Sequence, residues 1–243
     1  ANYIILVKII LTMYKKIEIE LDSKLAWLRL ALVFVICAIG CIGMWSVVMI
    51  MPAVETEFNV NRSSSTIPYI STMIGFGIGN IIIGKCTDKF GIAKPVIFAF
   101  LTLIISYFFS IYSSNLTILS LFQFILGTSS GAFFGPMMAD ISNFFEKKRG
   151  LAVSIVASAQ HFSGAIWPFI LENFLKDGDW RSSHVLIGVL SIIILPPISY
   201  FIFKMKSKAT TDKKNIKFYK NKQESLNISN RKLQVLLMIA GIG

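Results

Sequence analysis

Histidine and cysteine are both rare in this sequence, at two and three of 243 residues. Cys37 and Cys41 are one helical turn apart inside an apolar run, and Cys86 lies in a lysine-rich stretch. No histidine accompanies any of them, so they read as packing residues. No disulfide framework, metal site, redox centre or cofactor is expected. Acidic side chains are scarce as well: 13 Asp and Glu stand against 24 Lys and Arg, a net charge of +11. Spread over one surface, that excess would suit nucleic acid. It is confined to particular segments between apolar runs, the pattern that orients membrane proteins, so no nucleic-acid partner is expected.

Charge of either sign is missing from Leu30 to Val54, Ser63 to Gly84, Pro95 to Ala139, Gly150 to Leu171 and Ser182 to Phe203. Each run is long enough to cross about 30 Å of hydrocarbon as a helix. The apolar share is 54% without counting glycine, where a soluble domain reaches about 45–50% with glycine included. These absences predict an integral membrane protein in a lipid bilayer.

Residues 1–12 are apolar but too short to span, and no basic start or small-residue cleavage site makes them a secretory signal. Met13 followed by Tyr-Lys-Lys reads as the natural start of a cytoplasmic leader, giving an N-terminal segment of residues 1–24. The first span follows, with Arg29 at one end and Pro52 near the other. Ser63 to Gly84 is the second, capped by Ser64 or Ser65 with Pro68 in its first turn. Pro95 to Ala139 is too long for one crossing, and Ser113-Ser114-Asn115 divides it into a third and a fourth. Gly150 to Leu171 and Ser182 to Phe203 complete six spans within residues 25–203.

The intervening loops alternate in charge. Lys85, Lys89 and Lys94 lie between the second and third spans, Lys147, Lys148 and Arg149 between the fourth and fifth, and ten Lys or Arg between 204 and 232. The other loops hold Glu55, Glu57 and Arg62, no charge, and Glu172, Lys176, Asp177, Asp179 and Arg181 respectively. All the strongly basic segments are then on one side, which places the N-terminus and the 204–232 linker in the cytoplasm. Residues 233–243 open a further apolar run, read as the start of a truncated seventh span.

Gly84-Lys-Cys-Thr-Asp88-Lys89-Phe-Gly91-Ile-Ala-Lys94 reads as a polar turn joining two membrane helices. Its Gly-x-x-x-Asp-Lys-x-Gly spacing resembles the loop between the second and third spans of major facilitator transporters. The resemblance implies that Gly84, Asp88, Lys89, Gly91 and Lys94 help to close the cytoplasmic side. Ile92 and Ala93 stand where that family usually has two basic residues. The resemblance also implies the all-α fold of a twelve-span facilitator, of which six transmembrane helices and the start of a seventh are present and a C-terminal half is missing.

Phe144, Phe145, Lys147, Lys148 and Arg149, followed by small residues, resemble the start of the fifth span in monocarboxylate transporters and oxalate–formate exchangers. Gly43-Met-Trp45 departs from the acidic first-span pattern of animal monocarboxylate carriers. Gln123 precedes Gly127 where many facilitators carry an arginine tied to proton coupling, so the position is present without its charge. Gly127, Gly131 and Gly135 in the fourth span, with Gly75 and Gly79 in the second, mark faces on which helices approach closely.

Polar residues near the membrane centre are the site candidates. Gln160 and His161 lie roughly 15–17 Å into the fifth span. Ser154, Ser158 and His161 share one helical face. Trp45, Thr72, Gln123, Thr128 and Ser129 lie at comparable depth or were placed on the path by the resemblance. Asp140 is expected in a charge network with the basic loop after it.

Gly127-Thr-Ser129-Ser-Gly131 also has the Gly-x-Ser-x-Gly form of a hydrolase nucleophile, with His161 or His184 as base. An intramembrane serine protease is therefore the rival reading, and a non-transporting membrane scaffold the second. The preferred one is a secondary transporter in a bacterial inner membrane. It would move a small organic anion such as a monocarboxylate by alternating access, with a proton or counter-solute as coupled species.

Overall fold

The computed structural model describes residues 17–175 and 178–207. The leader before Ile17, Lys176 and Asp177, the linker beyond Ser207 and the expected seventh-span start lie outside the described residues. Within them the chain is an all-α membrane protein. The expected first span is two helices, α1 (Lys24–Gly40) and α2 (Gly43–Glu57). The second and third are α3 (Ile67–Phe90) and α4 (Ala93–Ser110). The fourth is α5 (Leu116–Ser130) and α6 (Gly135–Ser142), the fifth α7 (Arg149–Leu175) and the sixth α8 (Trp180–Lys204). A short strand β1 (Ile17–Ile19) pairs in parallel with β2 (Met205–Ser207).

Five segments are long and apolar enough to cross a membrane: Lys24–Glu57, Ser64–Phe90, Ala93–Ser110, Leu116–Ser142 and Trp180–Lys204. The helix outside that set is α7. At 27 residues it has ample length, but Ser154, Ser158, Gln160, His161 and Ser163 dilute its apolar content.

The break after the third helix falls where Ser113-Ser114-Asn115 predicts it, and the Asn115 side chain caps α5 by accepting from the Ile118 amide at 2.9 Å. The cap expected from Ser64 or Ser65 is not made. Asn61 Oδ1 accepts from the Ser64 amide at 2.8 Å, and a 3₁₀ turn at Ser64–Thr66 leads into α3. Asn61 sits outside the apolar run, and its short amide reaches the first free backbone donors.

Two bends are invisible in the charge-free runs. The first span bends at Cys41-Ile42, and the fourth passes through a 3₁₀ turn at Gly131–Phe133 before restarting at Gly135. The bends meet. A Cβ on Gly40 would run into the Phe133 ring, one on Gly43 would lie 2.7 Å from Ser130 Oγ, and Cys41 Sγ lies 3.8 Å from the Phe133 carbonyl.

α3 packs most extensively on α5, α4 on α5 and α8, and α1 on α7 and α8. The α3–α5 contact is the glycine face the spacing predicts, with Gly75, Gly79, Gly127 and Gly131 each opposite backbone of the facing segment. In lipid such close approach gains dispersion contacts without needing a hydrophobic driving force.

Candidate substrate path and cytoplasmic cleft

The Gly84–Lys94 stretch is shorter as a turn than its polarity implies. α3 continues through Phe90, so Gly84, Asp88 and Lys89 are helical, and the turn is Gly91-Ile92 before α4 begins at Ala93. Polar side chains do not stop a helix; a backbone angle does. Gly91 has φ 78° and ψ 165°, a region essentially reserved for glycine. Gly84 stands in open space. Gly91→Ala is therefore expected to destabilise the protein by about 1–3 kcal/mol, whereas Gly84→Ala should be neutral or slightly stabilising. Thermal unfolding of the two variants in nanodiscs checks this, and equal melting points would show that the turn is not strained. Asp88, Lys89 and Lys94 are all exposed, and the Lys89 ammonium lies 5.1 Å from the centre of its neighbouring Phe90 ring.

This turn forms one wall of a cleft of about 560 Å³. The opposite wall includes Arg29, Asp140, Asn143, Phe144 and β2. Arg29 is 1% exposed. Its guanidinium pairs with Asp140, donates to the carbonyls of Ile202 and of Met205 (3.1 Å), and lies 4.1 Å over the Phe144 ring. Asp140 thus joins a charge pair as expected, but with the first helix rather than the basic loop. Arg29 is within bonding reach because α1 and α6 pack together. It thereby ties the end of α8, where the Ile202 carbonyl also accepts from the Met205 amide, to the Met205 carbonyl at the start of β2.

The residues at the start of the fifth span divide by burial. Phe144 and Phe145 are buried, with Trp27 edge-on to Phe145 at 5.1 Å between ring centres. Lys147, Lys148 and Arg149 are exposed. Arg149 Nε donates to the Phe145 carbonyl at 3.1 Å. Asp22 docks on this loop: its carboxylate accepts from the amides of Glu146 (3.2 Å), Lys147 (3.0 Å) and Lys148 (3.3 Å). The Lys147 amide above all holds that carboxyl below the usual aspartate range. The contact is therefore present above that range and is lost only as pH falls through the lowered value.

The mid-membrane candidates separate into two groups. Trp45 and Gln160 meet where α2 packs on α7, and Ser158 and His161 lie on α7 near Gln160 in sequence. Trp45 Nε1 donates to the Gln160 carbonyl at 2.8 Å, and its indole covers Gly164, where a Cβ would lie 2.6 Å from the ring. Gln160 Nε2 lies 3.3 Å from Met44 Sδ. Ser158 and His161 are exposed.

Thr72, Gln123, Thr128 and Ser129 instead lie among helix contacts. Buried Thr72 donates to the Pro68 carbonyl (2.9 Å) and lies 3.2 Å from Gln123 Oε1. Thr128 bonds back to Phe124, and buried Ser129 bonds Ile125 and Thr102 Oγ1 (2.7 Å). Among the described residues Ser129 of the Gly-x-Ser-x-Gly stretch bonds Thr102 and Ile125, whereas His184 Nδ1 lies 2.7 Å from Ser110 Oγ, a serine outside that stretch.

The far end of the bundle carries a clamp that spacing does not reveal. Glu57 accepts from Arg181 and from Trp180 Nε1, both at 2.6 Å, and Arg181 also donates to the carbonyls of Ile111 (2.7 Å) and Ser113 (3.1 Å). Below it, buried His184 is edge-on to Tyr107 and Trp180, and Tyr107 bonds Ser46 at 3.1 Å. Only the opposite signs of Glu57 and Arg181 in outer loops hinted at a pairing.

Comparison with known proteins accords with this architecture. The chain is 26% identical over 148 residues to an uncharacterized transporter, YybO, of Bacillus subtilis, covering 58% of this chain and 33% of that protein. It is 27% identical over 145 residues to the agnestins efflux protein AgnL12 of Paecilomyces divaricatus, covering 58% and 33%. It is 26% identical over 197 residues to the 4-hydroxybenzoate transporter PcaK of Acinetobacter baylyi, covering 77% and 43%. The chain spans between a third and a half of the length of these relatives. The family profile of the Major Facilitator Superfamily matches residues 33–243, and the chain belongs to that superfamily of membrane transporters.

Proposed function

We propose that this chain forms the first six-span half of a secondary active transporter, and that it moves a small organic anion, such as a monocarboxylate, by alternating access. The observation that carries this reading is the contrast between exposed helix faces. The exposed face of α4 is Ile97, Phe98, Leu101, Ile105 and Phe109, and that of α8 includes Val189, Ile192, Ile193 and Phe201. These faces suit lipid. α7 instead interleaves exposed Ser154, Ser158, His161 and Glu172 with exposed Leu151, Phe162 and Phe169, a mixed stripe whose polar groups suit water or a partner bundle. It runs beside Trp45, so α2 and α7 line the path. Thr72, Gln123, Thr128 and Ser129 support it from behind.

The His161 imidazole on that stripe provides a ring N–H that can hydrogen-bond a carboxylate. The PcaK relative is named for 4-hydroxybenzoate, itself a monocarboxylate. In this reading Asp88 and its neighbours close the cytoplasmic side against a second six-span half. The basic loops put the N-terminus in the cytoplasm of a plasma membrane, and a proton or counter-solute drives the cycle.

Cysteine substitutions test it in the full-length transporter. Ser158→Cys and His161→Cys should react with a charged methanethiosulfonate and be protected by substrate. Ile105→Cys and Ile193→Cys should not react. Uptake of formate, lactate, oxalate and 4-hydroxybenzoate into proteoliposomes identifies the substrate class, and His161→Ala should lower it at least tenfold. Equal reactivity of both faces would overturn the path.

A further inference from the structure

We infer that the Ile17–Asp22 stretch, the Arg29 hub and the β2 strand after α8 form a permanent cytoplasmic clasp that makes the bundle move as one body. Three stretches far apart in sequence, 17–29, 140–148 and 202–207, are tied at one end of the molecule. β1 pairs with β2 in the register Ile17–Met205, Glu18–Lys206 and Ile19–Ser207. Ile19, Met205 and Ser207 face inward and are buried, and Ser207 Oγ donates to the Asn143 carbonyl at 2.6 Å. The Asp22 amide donates to the Phe144 carbonyl at 3.1 Å while its carboxylate collects the three amides that follow Phe145. Arg29 then joins α1 to Asp140 of α6 and to the carbonyls of Ile202 and Met205.

These ties differ in kind from the opposite wall of the cleft. There the Gly91-Ile92 turn presents Asp88, Lys89 and Lys94 to solvent. Parallel strands need a long crossover between them, and here the whole six-span bundle is that crossover. Closing so large a loop costs chain entropy, which each further tie inside the clasp no longer has to meet. The Arg29 side chain is also buried, so opening the hub would break three acceptor contacts and one ring contact together. The clasp rests on this geometry alone; its part in the transport cycle rests on the function proposed above.

The test places Glu18→Cys and Lys206→Cys together in the full-length protein, with Cys86→Ser, in native membrane vesicles. Both positions are exposed, and they are register partners on neighbouring strands, within the Cα separation a disulfide tolerates. Mild oxidation should remove both sites from labelling by a maleimide–polyethylene glycol tag. Glu18→Cys paired with Lys89→Cys, exposed at the end of α3, should keep both tags. Uptake should be the same before and after oxidation.

Retention of both tags on the strand pair would overturn the clasp. So would uptake that is lost on oxidation and restored by reductant, because the clasp would then open during the cycle. Absence of uptake before oxidation would count against the proposed transport function while the tagging result still decides the clasp.

Discussion

Asp140→Ala is expected to destabilise the folded protein by about 3–5 kcal/mol, because it leaves a buried arginine without its counter-charge. The Arg29 side chain is 2% exposed and that of Asp140 13%. Water cannot replace the lost carboxylate at so dry a site. Arg29→Ala should cost a similar amount, since it strips the carbonyls of Ile202 and Met205 as well as Asp140. The double variant Arg29→Leu with Asp140→Leu should recover most of the loss, because no charge is then left buried.

The exposed Arg62–Glu55 pair provides the contrast. Arg62 is 71% exposed and the pair is 3.4 Å apart, so Glu55→Gln should change stability by about 0–1 kcal/mol. Unfolding of the four variants by denaturant in mixed micelles measures this. A double variant no more stable than either single one would refute the buried-charge account.

The second large effect is expected at the glycine face between α3 and α5. A Cβ on Gly127 would lie 2.9 Å from the Thr72 Cα, and one on Gly79 would lie 2.8 Å from the Thr128 Cα. Both obstacles are backbone, so no side-chain rotation relieves them. Gly127→Ala should therefore reach or exceed the upper end of the usual overpacking cost of about 1–3 kcal/mol. The bulkier Gly127→Val should prevent the two helices from packing and leave little folded protein in the membrane. Gly77→Ala, on the same helix but with nothing within 4 Å, is the control. It should gain up to about 1 kcal/mol from helix propensity. Thermal stability and yield from membranes separate the cases, and equal behaviour of Gly77→Ala and Gly127→Ala would show that the helices do not approach as described.

The candidate site was legible in part. Trp45, Ser158, Gln160 and His161 are singled out by depth; of these, Trp45 and Gln160 are in contact where α2 packs on α7, and Ser158 and His161 are exposed on α7. Thr72, Gln123 and Ser129 lie at comparable depth but point into helix contacts. Depth follows from counting residues along a helix; facing depends on how neighbouring helices are rotated, which no charge-free run encodes. Arg29 illustrates the same limit. Its position at the end of a span reads as an ordinary interfacial charge, and only the arrival of Asp140 and the end of α8 make it a hub.

What the sequence determined by itself is whatever depends on one segment in its solvent. Charge-free length selects membrane helices because an unsatisfied backbone is too costly in hydrocarbon. Asn115 starts one helix through its side chain, Gly91 ends another through its backbone, and the glycine spacing marks a packing face. What only the tertiary structure decided is whatever needs two segments at once. The meeting bends at Cys41 and Gly131, the Glu57–Arg181 clamp, the Arg29 hub and the pairing of Ile17–Ile19 with Met205–Ser207 all join residues distant in the chain. Their partners are chosen by how the helices pack, and that is a property of the whole bundle rather than of any one stretch.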